Sequence, residues 1–430
     1  MSSDTHALVD HLFRQQAGQM VAWLTRIFGP ANLEMVEEVV QDALLKALQQ
    51  WPFSGIPSNP SGWLFTVARN GALDILRRNA SFADREGAIS ADLQARSSAF
   101  SPAPGEIEDD ELRMVFMCCH PDLPRDASVA LSLKTAGGFS TSEIARAFLT
   151  SDATVAQRIV RAKRFLREER IQFDLPAPAG LLSRVDPVLD VIYLMFNEGY
   201  SAHAGEDLVR QDLCHQAIRL GRLVAASAAG APPAHALAAL MAFQASRIPA
   251  RVGAAGELIL LEDQDRSLWD QRLIAMGFAH FERSASGDTL TSYHLEAAIA
   301  AIHAAAPSSN ATDWTRILGH YDELVSRTSS PVVRLNRAVA QARVRGAKVA
   351  LQEIDRIEAS GALANYYLLP AVKGALLLES GDTDSAATAF REALTRRCSE
   401  PERRFLERRL RECLAILSPD SEGNRVLGRA

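Results

Sequence analysis

Between Glu34 and Trp51 the apolar residues fall three and four apart, so that Val36, Val39, Val40, Ala43, Ala47 and Leu48 line one stripe. That is the period of an amphipathic helix. Glu37, Glu38, Gln41 and Asp42 lie away from the stripe. The stretch PFSGIPSNPSG then breaks the period with Pro and Gly. It returns with Leu64, Val67, Ala68, Ala72, Ile75 and Leu76, with Ser61 as the expected N-cap and Arg69, Asn70, Asp74, Arg77 and Arg78 left polar. From Ala80 to Glu108 the period is lost among Ser, Pro and acidic residues, the composition of a flexible linker. STSEIARAFLTSDATVAQRIVRAKRFLREER, Ser140 to Arg170, restores it. Thr141 or Ser142 caps a first helix with Ile144, Ala145 and Phe148 inward. LTSDAT makes a turn, and Thr154 to Arg167 form a second helix on the stripe Val155, Ile159, Ala162 and Leu166. LPAPAG separates this pair from a long helical region, about Leu181 to Leu417. There Gly374, Ala386, Phe390 and Ala393 recur 36 residues earlier as Ala338, Ala350, Ile354 and Ile357. Small residues that let paired helices approach, followed by apolar ones that fill the groove, are tetratricopeptide logic, whose period is about 34 residues.

Composition agrees with an all-α fold, because the chain is rich in Ala, Leu, Arg and Glu and has few aromatic or β-branched runs. A chain of 430 residues is too long for one ordinary core. The expected division is 5–79, a linker at 80–108, 109–173, and a helical region at 181–417. No apolar run reaches the ~18 residues of a membrane span, and the first residues lack the pattern of a secretory signal, so a cytoplasmic, membrane-free protein is expected. The five cysteines are scattered, apart from MCCHP, and are read as structural thiols rather than a disulfide framework or metal site. NEGYS (Asn197–Ser201) is read as a helix end and turn fixed by Gly199. Glu262, Asp263, Asp265 and Asp270 in LEDQDRSLWD lack the glycine and spacing of a calcium loop, and are expected to pair with Arg247, Arg251 and Arg266. The sequence holds no H-E-x-x-H, no G-x-S-x-G and no phosphate-binding glycine loop. It is therefore read as a non-enzyme without cofactor or metal.

Charge changes the picture locally. The whole chain carries formal net charge -6, yet Thr141–Arg170 holds seven basic and four acidic residues. In a helix-turn-helix the second helix enters the major groove. Gln157, Arg158 and Arg161 would project outward, where they can meet bases or phosphates. A plain helical hairpin with a solvated basic face is the alternative reading of the same spacing.

Two longer stretches carry a resemblance. STSEIARAFLTSDATVAQRIVRAKRFLRE resembles region 4.2 of the extracytoplasmic-function sigma factors of bacterial RNA polymerase. VVQDALLKALQQW and SGWLFTVARNGALDILRRN resemble regions 2.2 to 2.4 of that family, in the right order. YLMFNEGYS, GELILLEDQDRSLWD and RRFLERRL resemble the subgroup with a long tetratricopeptide-like C-terminal extension, so the likeness spans nearly the whole chain. The resemblance implies an alternative sigma factor that binds core RNA polymerase and directs promoter-specific initiation. Glu38, Gln41 and Asp42 would dock on the β′ clamp helices, and region 4 would meet the β flap. Trp63, Arg69, Asn70, Asp74, Arg77 and Arg78 would recognise and open the minus-10 element, with Trp63 and Asp74 serving equally well as core and cap residues. Ser151, Thr154, Ala156, Gln157, Arg158 and Arg161 would read the minus-35 element. The acidic linker would thread toward the polymerase active-site and RNA-exit path. The extension would modulate these domains, alone or with a protein or ligand partner. Two departures stand out. Ala156, Gln157 and Arg158 replace a common Lys-Ser-Arg run, which bears on the promoter sequence rather than the fold, and Arg125 is nearly alone before region 4. A polymerase-independent helix-turn-helix regulator with a helical sensor domain, or a helical-repeat adaptor, would explain parts of the chain. Neither needs the region-2-like segment.

Overall fold

Helices form where the apolar period runs. The computed structural model describes residues 16–80, 109–148, 150–173, 175, 178–200, 209–227, 231–253 and 256–417. Residues 5–15 of the first expected segment and 81–108 of the expected linker lie outside them. The fold is all-α, and among the described residues the only β feature is an isolated bridge between Val252 and Leu258. The contacts divide the chain into two units, one holding Met1–Phe196 and His215–Gly230, the other Asn197–Cys214 and Ala231–Ala430. Residues 181–196 and 215–227, read from sequence as part of the C-terminal region, are thus counted with the first unit.

In the first unit α1 (16–28) buries Met20, Val21, Leu24, Ile27 and Phe28. It leads into α2 (Leu33–Ser54) and α3 (Pro60–Ala80), which pack on each other. The α2 stripe is buried as its spacing requires, except that Leu48 is half-buried. Asn59, not Ser61, caps α3: its Oδ1 accepts from the Gly62 N–H at 2.9 Å, while the Ser61 hydroxyl accepts from Gln16. Asp109 caps α4 (Asp110–Cys118), in which Glu111 through Cys118 are all buried. α5 (Arg125–Thr135) follows. The Cys118 and Cys119 thiols sit against Thr135 and Ser132, and burial pushes Cys118 up to about 12. These two are inert packing groups.

Gly18 on α1 marks a close approach to the end of α5. A Cβ there would run into the Ala136 carbonyl oxygen, a backbone atom that cannot swing aside. Alanine is the better helix former by ~1 kcal/mol. Even so, Gly18→Ala is expected to destabilise the chain by about 1–3 kcal/mol through overpacking. A urea midpoint that moves down in circular dichroism supports this, and one that moves up refutes it.

The second unit is built around the Ala-rich helix Pro232–Ser246, buried on nearly every side and packed by Gln271–Ser284 and Ser292–Ala305. Gly277 makes that packing close, since a Cβ would stand 2.6 Å from the Phe243 ring. Consecutive helices then pair: Trp314–Arg327 with Pro331–Arg345, Ala347–Ala359 with Leu368–Glu379, and Thr383–Thr395 with Glu400–Leu417. Ala338, Ala350, Ile354 and Ile357 share one core cluster. Their repeat equivalents Ala386, Phe390 and Ala393 share the next, where Gly374 faces the Phe390 ring.

Gly199 lies inside the helix Val185–Tyr200 rather than in a turn. A Cβ there would meet the Cys214 nitrogen at 2.8 Å, so the glycine serves close packing.

Candidate nucleic-acid interface

The helix-turn-helix is set by two caps. Ser140 opens α6 (Thr141–Ala147) with a capping box: its hydroxyl accepts from the Glu143 N–H at 3.2 Å, and Glu143 accepts from the Ser140 N–H at 2.7 Å. The cap is therefore one residue before Thr141 and two before Ser142. Ser151 caps α7 (Asp152–Glu168) by accepting from the Thr154 N–H at 3.2 Å, so the helix begins two residues earlier than the period alone indicates. Val155, Ile159, Ala162 and Leu166 are buried, and Ile144 and Ala145 face them. Phe148 is only half-buried, with the Arg158 guanidinium 5.6 Å from the centre of its ring.

The basic residues of α7 divide between two uses. Ala156, Gln157 and Arg161 are exposed. Ser151 is exposed and Thr154 half-buried, and the two hydroxyls lie 2.9 Å apart as part of the cap. Arg158 is half-buried and pairs with Asp126 at 3.0 Å. Lys163 and Arg167 share another face, where Lys163 pairs with Glu37 of α2 and Arg167 lies 3.7 Å from Glu34. The net positive charge therefore does not make one basic face.

On α3, Arg69, Asn70, Asp74, Arg77 and Arg78 are all exposed. Asp74 sits mid-helix and pairs with Arg77 at 3.6 Å, so it is not a cap. Trp63 is half-buried with its ring edge-on to the buried Trp51 at 5.4 Å, so it is packed on one side and open on another. On α2, Glu38, Gln41 and Asp42 are exposed beside the carboxylates that α7 engages. Leu45, on the same side of the helix, is 54% exposed. Phe53, in the last turn of α2, and Ile56, in the turn before α3, are exposed apolar groups that the periodic stripes do not include. Their signal was there: large apolar side chains among turn formers have no stripe to join.

The first unit also ties α4 to the helices that follow α7. Arg219, on the helix Gln211–Ala226, donates to both Asp109 and Glu111, and Gln216 donates to Glu111. Arg184 donates to the Phe116 carbonyl at 2.9 Å, and Arg125 pairs with Asp190 at 2.5 Å.

Comparison with known proteins adds three family matches: Sigma-70 region 2 over residues 12–82, Sigma-70 region 4 over 113–166, and a family of unknown function, DUF6596, over 184–285. The chain is 37% identical over 399 residues to Uncharacterized protein R00370 of Rhizobium meliloti (strain 1021), covering 91% of this chain and 92% of that protein. It is 29% identical over 136 residues to ECF RNA polymerase sigma factor EcfG of Rhodopseudomonas palustris (strain TIE-1), 31% of this chain and 69% of that protein. It is 31% identical over 144 residues to Probable RNA polymerase sigma factor RfaY of Xanthomonas campestris pv. campestris, 32% of this chain and 34% of that protein. No solved structure was found to match the chain. The exposed stripe of α3 falls inside the region 2 match, and most of α7 falls inside the region 4 match.

Proposed function

Because this chain belongs to the extracytoplasmic-function sigma factors of RNA polymerase, with a helical extension added, we propose that the faces of α3 and α7 read a two-part promoter and that the extension governs their use. As an alternative sigma factor it directs transcription initiation, with core RNA polymerase and promoter DNA as its partners. The polymerase supplies the chemistry, in the cytoplasm. No described helix is long and apolar enough to cross a membrane.

The observation that carries the reading is the exposed row Arg69, Asn70, Asp74, Arg77 and Arg78 on a helix whose other side is core. Cationic and amide groups on such a row suit phosphates and unpaired base edges at the minus-10 element. The open side of Trp63, with Phe53 and Ile56, offers apolar faces on which an unstacked base can rest. Glu38, Gln41 and Asp42, with Leu45, form the side of α2 that would dock on the β′ clamp helices. Gln157 and Arg161, beside Ala156 and the Ser151–Thr154 cap, form the edge that would enter the minus-35 groove, with region 4 held by the β flap. Arg158 contributes once Asp126 releases it.

The pairs Lys163–Glu37 and Arg167–Glu34 hold α7 against α2. Minus-10 and minus-35 elements lie about 25 base pairs apart, or about 85 Å at ~3.4 Å per pair. A helix of 17 residues spans about 25 Å. Regions 2 and 4 must therefore part before both elements are read, and the described arrangement is a holding form. The contacts from Arg219, Gln216, Arg184 and Asp190 to α4 and α5 are where the extension would act on it.

Run-off transcription with core polymerase on genomic fragments tests this. The wild-type chain should create specific start sites. Arg77→Ala with Arg78→Ala, or Arg161→Ala, should weaken them ~10- to 100-fold, the effect of losing a contact of about 1–3 kcal/mol. Lys163→Ala with Arg167→Ala should raise initiation at limiting protein by releasing α7. Duplex binding without any start site would instead establish a polymerase-independent regulator.

A further inference from the structure

We propose that Arg247, Arg251 and Arg266, grouped with Tyr200 and His303 in the second unit, form a binding site for a small-molecule oxyanion, a phosphate- or carboxylate-bearing ligand. Arg247 ends the helix Pro232–Ser246, and Arg251 follows after one 3-10 turn. They hold the Tyr200 side chain between them. Arg247 donates to the phenol oxygen at 2.9 Å, and the Arg251 guanidinium lies 3.8 Å from the centre of the ring while donating to the Tyr200 carbonyl. Arg266 enters from the 3-10 turn Arg266–Leu268 and donates to the His303 and Ala306 carbonyls, each at 2.6 Å.

All the hydrogen-bond acceptors these guanidiniums have among the described residues are neutral oxygens, and none of the three stands within ion-pair distance of a described carboxylate. Buried cations are ordinarily paired, because desolvation costs several kcal/mol per ion. Here like charges are gathered instead. Burial holds Arg247 below the usual guanidinium range and Arg251 adds to it, while burial and then Arg247 lower Arg266. Buried polar capacity is also unused: the Arg247 Nε donor has no acceptor and the His303 Nδ1 has no hydrogen-bond partner. A bound oxyanion answers both deficits, since the planar guanidinium fork matches a carboxylate or phosphate edge. Arg247 and Arg266 keep part of their surface in solvent, which gives a small ligand access, whereas the burial of Arg251 excludes a polymer backbone.

This inference does not rest on the transcription reading, because binding is measured on the full chain alone. Thermal unfolding would be followed in inorganic phosphate, in citrate, and in chloride matched for ionic strength. A saturable rise of roughly 5–10 °C at about a hundred times the dissociation constant is expected from phosphate or citrate over chloride. Which of the two acts decides between phosphate and carboxylate ligands. Arg247→Gln and Arg251→Gln should each abolish the response, and Arg283→Gln should keep it. Equilibrium dialysis of the wild-type protein against labelled phosphate and labelled citrate, expected to retain about one anion per chain, needs no variant to fold. Shifts no larger than in chloride, a response that survives both arginine substitutions, or no anion retained on dialysis would each overturn the proposal.

Discussion

Replacing Arg219 with Ala is expected to destabilise the first unit by about 3–5 kcal/mol at pH 8, the usual loss when one partner of a buried charge pair is removed. Glu111 is 2% exposed, and Arg219 is the cation that meets its carboxylate. Burial raises the Glu111 carboxyl to about 7 even with Arg219 lowering it. The folded group therefore binds a proton more readily than the unfolded one, whose ordinary value is 4.5. In the wild type this contribution is favourable below 4.5 and is lost as pH rises through about 7. Without Arg219 the carboxyl is driven higher still, so the loss should shrink as pH falls toward 7, where Glu111 takes up a proton in both chains, and be smaller at pH 6 than at pH 8. Urea unfolding at pH 6 and pH 8, with Glu111→Gln added to Arg219→Ala to remove the orphaned charge, checks this. A loss independent of pH, or no rescue by the second substitution, would show that Arg219 acts through packing alone. The same substitution cuts the link between the extension and the first helix of region 4. Any change in transcription should thus appear at pH values where the fold still holds.

What the sequence revealed was local. The stripes of α2, α3 and α7 were legible because a helix presents its buried side every three or four residues, whatever it later packs against. The cap of α6 could have been read too, since Glu143 stands three residues after Ser140, as a capping box requires. The start of α7 was misplaced for the same kind of reason: Asp152 and Ala153 join no stripe, but Ser151 caps the helix ahead of them.

Partners distant in sequence were not legible. Glu262, Asp263, Asp265 and Asp270 were expected to meet Arg247, Arg251 and Arg266, and Asp263 is exposed with none of them as a partner. Instead Asp265 and Asp270 cap the turns and helix that follow them, and Glu262 pairs with Arg343. The arginines were left to Tyr200 and to backbone carbonyls. The row of cations on α7 looked like a single reading surface for a related reason. Lys163 and Arg167 meet carboxylates of α2 more than a hundred residues earlier, and charge counting along one segment cannot see an ion pair closed by the fold. The polar row on α3 was legible as a row because all its members stayed in solvent.

Acidification below pH 6.5 is expected to weaken the second unit, with His303 as the largest single cause. Its ring is 7% exposed, and burial, then Arg247 and Arg266, lower it from 6.5 to about 3. The folded state thus binds fewer protons than the unfolded state between those values. The stability this represents is complete above 6.5 and is lost as pH falls toward 3, by up to roughly 3–5 kcal/mol. His235, His294 and His320 are lowered in the same direction and steepen the fall. His303→Phe cannot take a proton, keeps an aromatic ring near Trp314, and leaves the carbonyl that Arg266 needs. With Trp23, Trp51 and Trp63 replaced by Phe, the fluorescence of Trp269 and Trp314 reports urea unfolding of this unit alone. Between pH 6.5 and 4.5 the His303→Phe chain should lose distinctly less stability than the chain with His303, whereas equal slopes would mean that the neutral ring is not what the acid attacks. The direction is opposite to that of Glu111, where falling pH relieves a buried charge rather than creating one. The contributions of these two groups should therefore respond to acid with opposite sign, a contrast that no uniform denaturing effect of pH produces.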